Sequence, residues 1–189
     1  MGHIRQLSEN LANKIAAGEV VERPASVIKE LTENSIDAKA KSITILVEQG
    51  GTSSMSVIDE GIGMKRTDAL LCFSRHATSK IVDENDLFNI TTLGFRGEAI
   101  PSIASISVFT LETSDGEENT KVEYEFGKRK SVDSVAMNRG TKITVERIFQ
   151  NVPARLKYMK SINAEFAAIY SYVERLALAH PEISFTLVH

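Results

Sequence analysis

The chain has 189 residues, 42% hydrophobic and 25% charged, with 11 Gly, 4 Pro and a formal net charge of −3. That is one domain's worth of ordinary globular sequence, long enough to bury a core without disulfide or metal support. The single cysteine, Cys72, excludes an internal disulfide and a cysteine-based zinc cluster, no run approaches the roughly 18 apolar residues of a membrane span, and MGHIRQLSEN lacks the apolar core of a secretion signal, so a reducing, cytoplasmic setting is expected.

Ser8 can cap a short helix through Ala17, with Gly18 as its stop. Pro24 suits the first position of a second helix running to about Ile36. Residues 42–48 (SITILVE) read as a strand rich in β-branched residues. Gly50 and Gly51 turn the chain, and 54–59 (SMSVID) returns as the partner strand of a hairpin. A helix is expected over about 65–74. Residues 76–98 hold few apolar residues and read as a long irregular segment, of the kind that is often functional. Beyond Pro101, strands are expected over about 105–113, 120–126 and 141–148, punctuated by Asp115-Gly116 and Gly127. Helices follow near 153–160 and 163–179. The second carries Phe166, Ile169, Tyr170, Val173, Leu176 and Ala177 at the spacing of one buried stripe. ISFTLVH closes the sequence with strand-like alternation. Helices and strands fall in separate runs, which predicts an α+β fold: a two-layer sandwich of a mixed, mostly antiparallel sheet against helices.

The second helix carries the most polar chemistry. Val27, Ile28 and Leu31 form its core stripe, while Glu30, Asn34 and Asp37 share one face at the margin of that stripe. Lys29 and Glu33 fall on the more exposed side. A carboxylate at such a margin can take a proton from water, and an amide oxygen can hold a hard cation such as Mg²⁺. The same pattern suits a boundary helix whose polar residues meet solvent.

Strand 54–59 ends in Asp59-Glu60-Gly61-Ile62-Gly63. Asp59 can accept from a ligand amine, and the glycines let backbone pass close to a flat ring or turn sharply. Gly94 and Gly97, in LGFRGEAI (93–100), precede an apolar run that can open a helix, a setting suited to phosphate. The spacing fits neither the P-loop nor the dinucleotide fingerprint. RHATSK (75–80) adds hydroxyls and cations, and His76 reads as structural because no nucleophile motif accompanies it. Together these features can build an ATP site without a P-loop. The charge is uneven: residues 1–127 carry a net −8 and residues 128–189 a net +5. That basic excess can face a phosphate backbone or form a solvated surface, and no interleaved aromatics mark a stacking platform.

The sequence resembles the N-terminal ATPase domain of the MutL DNA mismatch repair family, within the gyrase, Hsp90 and histidine-kinase ATPase superfamily. The likeness rests on LANKIAAGEVVERPASVIKEL (11–31), ENSIDA (33–38), DEGIG (59–63), RHATSK, LGFRGEA (93–99), the Gly140-Thr141 pair and FQNVPAR (149–155). It implies a Bergerat-type ATP-binding fold with Glu30 as general base and Asn34 as the Mg²⁺ ligand. Asp59 would bind the adenine amine, with Gly63 beside the base and Thr141 supporting that contact. Thr78, Ser79 and Lys80, then Gly94, Phe95, Arg96, Gly97 and Glu98, would form a lid over the triphosphate. Residues 4–22 would be a strap that ATP orders as two copies dimerise. The implied partners are a MutS-type mismatch recognition protein and DNA, with no membrane. Glu60 stands where the family usually has Asn. The resemblance also implies that residues 1–189 are one ATP-binding domain of a longer chain, whose second domain would supply a lysine to the γ-phosphate. A non-hydrolysing, nucleotide-dependent interaction module and a DNA-binding module using the basic last third are the alternatives.

Overall fold

A computed structural model describes residues 15, 17–18, 20–75, 77–78, 93–94 and 97–189. Residues 17, 18 and 20 are helical, so Gly18 does not end the first helix as the sequence suggested; Ser8, its expected cap, lies outside the described residues. The next helix, α1 (Pro24–Asp37), starts with proline in the first turn, where the missing N–H costs nothing. Val27, Ile28 and Leu31 are buried on it, as their spacing predicts, and the hydroxyls of Thr32 and Ser35 are buried too.

β1 (Ser42–Glu48) and β2 (Ser54–Asp59) form the expected antiparallel hairpin around a short 3₁₀ turn at Gln49–Gly51. α2 (Arg66–Leu71) is shorter than the 65–74 expected. Phe73, just beyond it, stacks on Tyr124 at 4.1 Å and meets the edge of Phe109 at 5.5 Å, which pins this stretch to the sheet. α3 (Ala99–Ser105) takes the residues around Pro101, so the following strand begins later than expected, as β3 (Val108–Ser114).

β4 (Asn119–Glu125) and β6 (Gly140–Glu146) match their expected ranges closely. Between them lies β5 (Lys128–Asp133), which the sequence pattern did not suggest. Its KRKSVD has no apolar alternation because it is an edge strand with both faces largely in solvent. α4 (Pro153–Tyr158) and α5 (Ile162–Ala179) precede the closing strand β7 (Ser184–Val188). On α5 the stripe buries Ile169, Val173 and Leu176, but Tyr170 is 53% exposed, because the groove beside β7 stays open there.

The seven strands run in the order β5-β4-β3-β6-β2-β1-β7. Every neighbouring pair is antiparallel except β1 and β7, which are parallel. Alternate residues of the central strands, among them Ile43, Ile45, Val57, Phe109, Leu111, Ile143 and Val145, are buried in one core with α1, α3 and α5. This is the two-layer α+β sandwich with a mixed, mostly antiparallel sheet. No helix among the described residues is long and apolar enough to cross a membrane.

Phe109 sits at the centre of this packing and is fully buried. Phe109→Ala is expected to lower the unfolding free energy by about 3–5 kcal/mol in urea denaturation. Tyr170→Ala, at an exposed position, should cost less than about 1 kcal/mol in the same measurement.

Candidate functional site

At one end of the sheet β2 finishes at Asp59, β6 begins at Gly140 and β3 finishes at Ser114; Thr141 is opposite Asp59 on one side and Thr113 on the other. α1 reaches the same place through Ser35, whose Oγ donates to Asp59 Oδ2 at 2.6 Å. The Gly61 N–H donates to Oδ1 at 2.9 Å, and the Thr141 N–H also donates to this carboxylate. Asp59 is 7% exposed, and burial pushes its pKa above the ordinary value against those three donors. A carboxylate accepts up to about four hydrogen bonds, so one further donor can be received here.

The threonines beside it are fixed in turn. Thr113 Oγ1 donates to the Gly140 carbonyl at 3.1 Å and accepts from Met64 N at 3.0 Å. Its only proton is thereby used, so Thr141 Oγ1 is the donor in the 3.1 Å contact between the two hydroxyls. Backbone closeness explains two glycines. Gly63 has φ +67 and a Cβ there would run into the Ser114 carbonyl. Gly140 has φ +138 and its Cβ would strike the Asp59 carbonyl. Both serve the tight joining of strand ends around Asp59, which only glycine allows.

On α1, Glu30 is a quarter exposed and accepts from Lys29 Nζ at 3.3 Å. Asn34 is half-buried, one turn after Glu30 on the same helix. Asp37 turns to the later loop: its Oδ1 accepts from Leu93 N at 3.1 Å and its Oδ2 from Gly94 N at 3.3 Å. A Cβ on Gly97 would strike the Ala77 carbonyl, so Gly97 lies against Ala77. Gly94 therefore borders the end of α1, while Gly97 meets Ala77. Ser79, Lys80, Phe95 and Arg96 lie outside the described residues.

Glu33 is not on the exposed side that the helical pattern gave it. Its side chain is only 14% exposed and accepts from Tyr172 on α5 at 3.1 Å. A helical wheel carries no information on where a neighbouring helix packs, and α5 covers this side.

The FQNVPAR segment acts on structure. Arg155 donates from Nη1 to the Val21 carbonyl at 2.5 Å and from Nη2 to the Gly18 carbonyl at 2.6 Å, capping the end of the helix before α1. Asn151 Nδ2 donates to the Ser105 carbonyl at 2.9 Å, at the end of α3. Much of the basic surface is also engaged. Lys130 and Arg147 both pair with Glu125, Lys142 pairs with Glu112.

Sequence reasoning missed Ser35, Thr113 and the Asp37 contacts. Ser35 had a signal, since a hydroxyl beside a helix's core stripe must find a partner. The partners of Thr113 and Asp37 are distant in sequence and left no local trace.

The oxygen donors on α1 suit a hard cation that keeps water and phosphate among its ligands, as Mg²⁺ does. Among the described residues no group of three His, Cys, Asp or Glu gathers that could hold a metal without such help. A model of the histidine kinase-, DNA gyrase B-, and HSP90-like ATPase family matches residues 22–158. The DNA mismatch repair protein MutL of Lactococcus lactis subsp. lactis (strain IL1403) is 57% identical across 100% of this chain and 29% of its own length. MutL of Geobacillus sp. (strain WCH70) is 55% identical, again across 100% of this chain and 31% of its own length. The chain thus spans less than a third of these curated relatives. Among solved structures, the N-terminal domain of a DNA repair protein superposes with a TM-score of 0.79 at 28% identity, covering 93% of this chain and 51% of that one. The Aquifex aeolicus MutL ATPase domain complexed with ADP gives 0.69 at 29% identity, covering 89% and 60%.

Because its pKa is raised on folding, the ionised Asp59 opposes stability at neutral pH. Below the ordinary carboxylate pKa both folded and unfolded chains hold the proton and no penalty exists; it grows as pH rises through the folded value. Asp59→Asn is therefore expected to keep or raise Tm at pH 7, with the gain shrinking towards pH 4. Thermal unfolding across that range checks it, and a loss of Tm at pH 7 would count against the assignment.

Proposed function

The chain belongs to the histidine kinase-, DNA gyrase B-, and HSP90-like ATPase family, and we propose that it is the domain with which a MutL-type mismatch repair protein binds and hydrolyses ATP. The observation that carries the reading is the Asp59 carboxylate, buried, fixed by three donors and left with room for one more. An adenine amine supplies such a donor. Recognition by a buried, pre-set acceptor is selective, because a ligand without the matching N–H leaves it unpaired.

Asn34 would contribute its amide oxygen to Mg²⁺, consistent with a metal that takes few protein ligands and completes its shell with phosphate and water. When bound, Mg²⁺ supplies charge neutralisation for the phosphates. Glu30, one turn earlier on α1, holds a partly exposed carboxylate that can accept the proton of the attacking water. Thr78 to Lys80 and Gly94 to Glu98 would close over the triphosphate. That reading is supported by Asp37, which ties Leu93 and Gly94 to the helix carrying Glu30 and Asn34. Closure would then sense the state of α1.

The wider role follows the likeness to MutL proteins. ATP-driven ordering of residues 4–22, dimerisation through them, and coupling to a MutS-type protein and DNA complete the proposal. Arg155 supports the first of these, since it grips the carbonyls at the end of the helix before α1. The alternative of a DNA-binding module built on the basic last third finds less support, because cross-strand carboxylates neutralise several of those cations.

Two substitutions test the chemistry in the full-length protein. Glu30→Ala should retain ATP binding and lose about 10²–10⁴-fold in turnover, measured by phosphate release. Asn34→Ala should abolish Mg²⁺-dependent binding of a non-hydrolysable ATP analogue in calorimetry; tight binding by that variant would remove Asn34 from the metal role.

A further inference from the structure

α1 is entered through residues 21–23, which join it to the helix before it. Side chains of two arginines hold this joint. Arg155, on α4, donates from Nη1 to the Val21 carbonyl at 2.5 Å and from Nη2 to the Gly18 carbonyl at 2.6 Å. Arg23, just before α1, donates from Nε at 3.0 Å and Nη2 at 2.9 Å to Glu165 Oε2 on α5. Gly18 is shaped to the first of these contacts. A Cβ built on it would come within 2.6 Å of Arg155 Nη2 and 3.3 Å of Cζ. Glycine inside a helix costs stability relative to alanine, and here the missing side chain is the space that the guanidinium fills. On its other side Arg155 stands 5.9 Å from the centre of the Phe149 ring, which is fully buried. A planar guanidinium can meet two carbonyls at once in fixed geometry, which a lysine ammonium does not do.

We propose that Arg155 is a positioning residue for ATP hydrolysis: its two-point grip on Gly18 and Val21 fixes the joint from which α1 presents Glu30, and Gly18 leaves the room that the grip requires. The inference rests on the ATPase reading and on Glu30 being the base. The later half of α1 has anchors of its own, in Tyr172 on Glu33, Ser35 on Asp59, and Asp37 on Leu93 and Gly94. Glu30 lies nearer the joint than Asn34 does, and Asn34 adjoins Ser35. Loosening the joint therefore displaces the Glu30 carboxylate while Asp59 and Asn34 keep their supports. The loss falls on rate and spares nucleotide affinity, because a small misplacement of a reacting group costs far more in the chemical step than in binding.

Steady-state phosphate release by the full-length protein tests the grip. Arg155→Met should lower kcat by about 10- to 100-fold and leave KM for ATP within about 2-fold of wild type. Arg155→Lys, with one point of contact, should fall between the two. Gly18→Ala should act like Arg155→Met, because the flexible guanidinium moves aside and releases both carbonyls. In an Arg155→Met background, Gly18→Ala should lower kcat by no more than about 2-fold further. Its effect on Tm should also change sign there, from a decrease to an increase, since alanine then favours the helix with nothing to displace. Wild-type kcat in Arg155→Met, a KM that rises as far as kcat falls, or a Gly18→Ala loss undiminished without Arg155 overturns the proposal. Should Arg155→Met fail to fold, Gly18→Ala answers alone: its kcat falls with unchanged affinity for a non-hydrolysable ATP analogue, or the proposal is wrong. Glu30→Ala separates the two levels. Persistent turnover there removes the base reading and this inference together, whereas turnover lost there, with wild-type kcat in Arg155→Met, removes the positioning role alone.

Discussion

Burying the Asp59 carboxylate obliges the elements around it to converge. An ionised group out of water needs its lone pairs met, and here the donors come from α1 through Ser35, from the turn after β2 through Gly61, and from β6 through Thr141. Each donor demands further support. Thr141 is fixed by Thr113 on β3, which also receives Met64 N and donates to Gly140. Gly63 and Gly140 must be glycine for the strand ends to approach so closely. The register of β2, β6 and β3 at this end of the sheet is thus tied to one acidic side chain, and α1 is docked by the same contact. In the proposed reading, the fold accepts a group that opposes its stability because that group receives the adenine amine.

The second constraint is how α1 is held along its length. At its start Arg155 caps the preceding helix, and Arg23 pairs with Glu165, which is almost wholly buried on α5. In its middle Tyr172 meets Glu33, and at its end Asp37 grips Leu93 and Gly94. A helix pinned at several points holds Glu30 and Asn34 with little freedom, which the proposed catalysis by positioning would ask of its scaffold. The solvent-facing side of the sheet follows a different logic. Ion pairs such as Lys130–Glu125 and Lys142–Glu112 lie across strands on the solvent side, where they guard exposed sheet more than they add stability.

Local pattern made much of this legible. Pro24 and the Val27, Ile28, Leu31 stripe located α1, and β-branched runs around Gly50 and Gly51 located the first hairpin. β5 was not legible because a solvated edge strand needs no apolar alternation. Gly18 misled because a single glycine can sit inside a helix at modest cost, and here the Arg155 guanidinium occupies the space a side chain would need. At the candidate site, the short motifs supplied candidate residues, while the contacts joining them were invisible. Ser35 with Asp59, Asp37 with Gly94 and Glu33 with Tyr172 each link segments that sequence spacing cannot relate. Glu33 was put on the wrong side because a wheel describes one helix and burial is decided by two.

The parallel pairing of β7 with β1 bears on how the molecule is made. β1 finds one neighbour at once in β2, across a short turn, but its other edge is covered only by residues 184–188, with Ile43 beside Phe185. Closing so long a loop adds entropy cost only slowly with length, but it must wait for the distant segment to exist. During synthesis, then, the hairpin that ends in Asp59 emerges with an open edge of unpaired N–H and C=O groups. That edge is a template for pairing with another chain until the last strand arrives. The exposure of nascent β1 sets a window for aggregation that the finished sheet conceals.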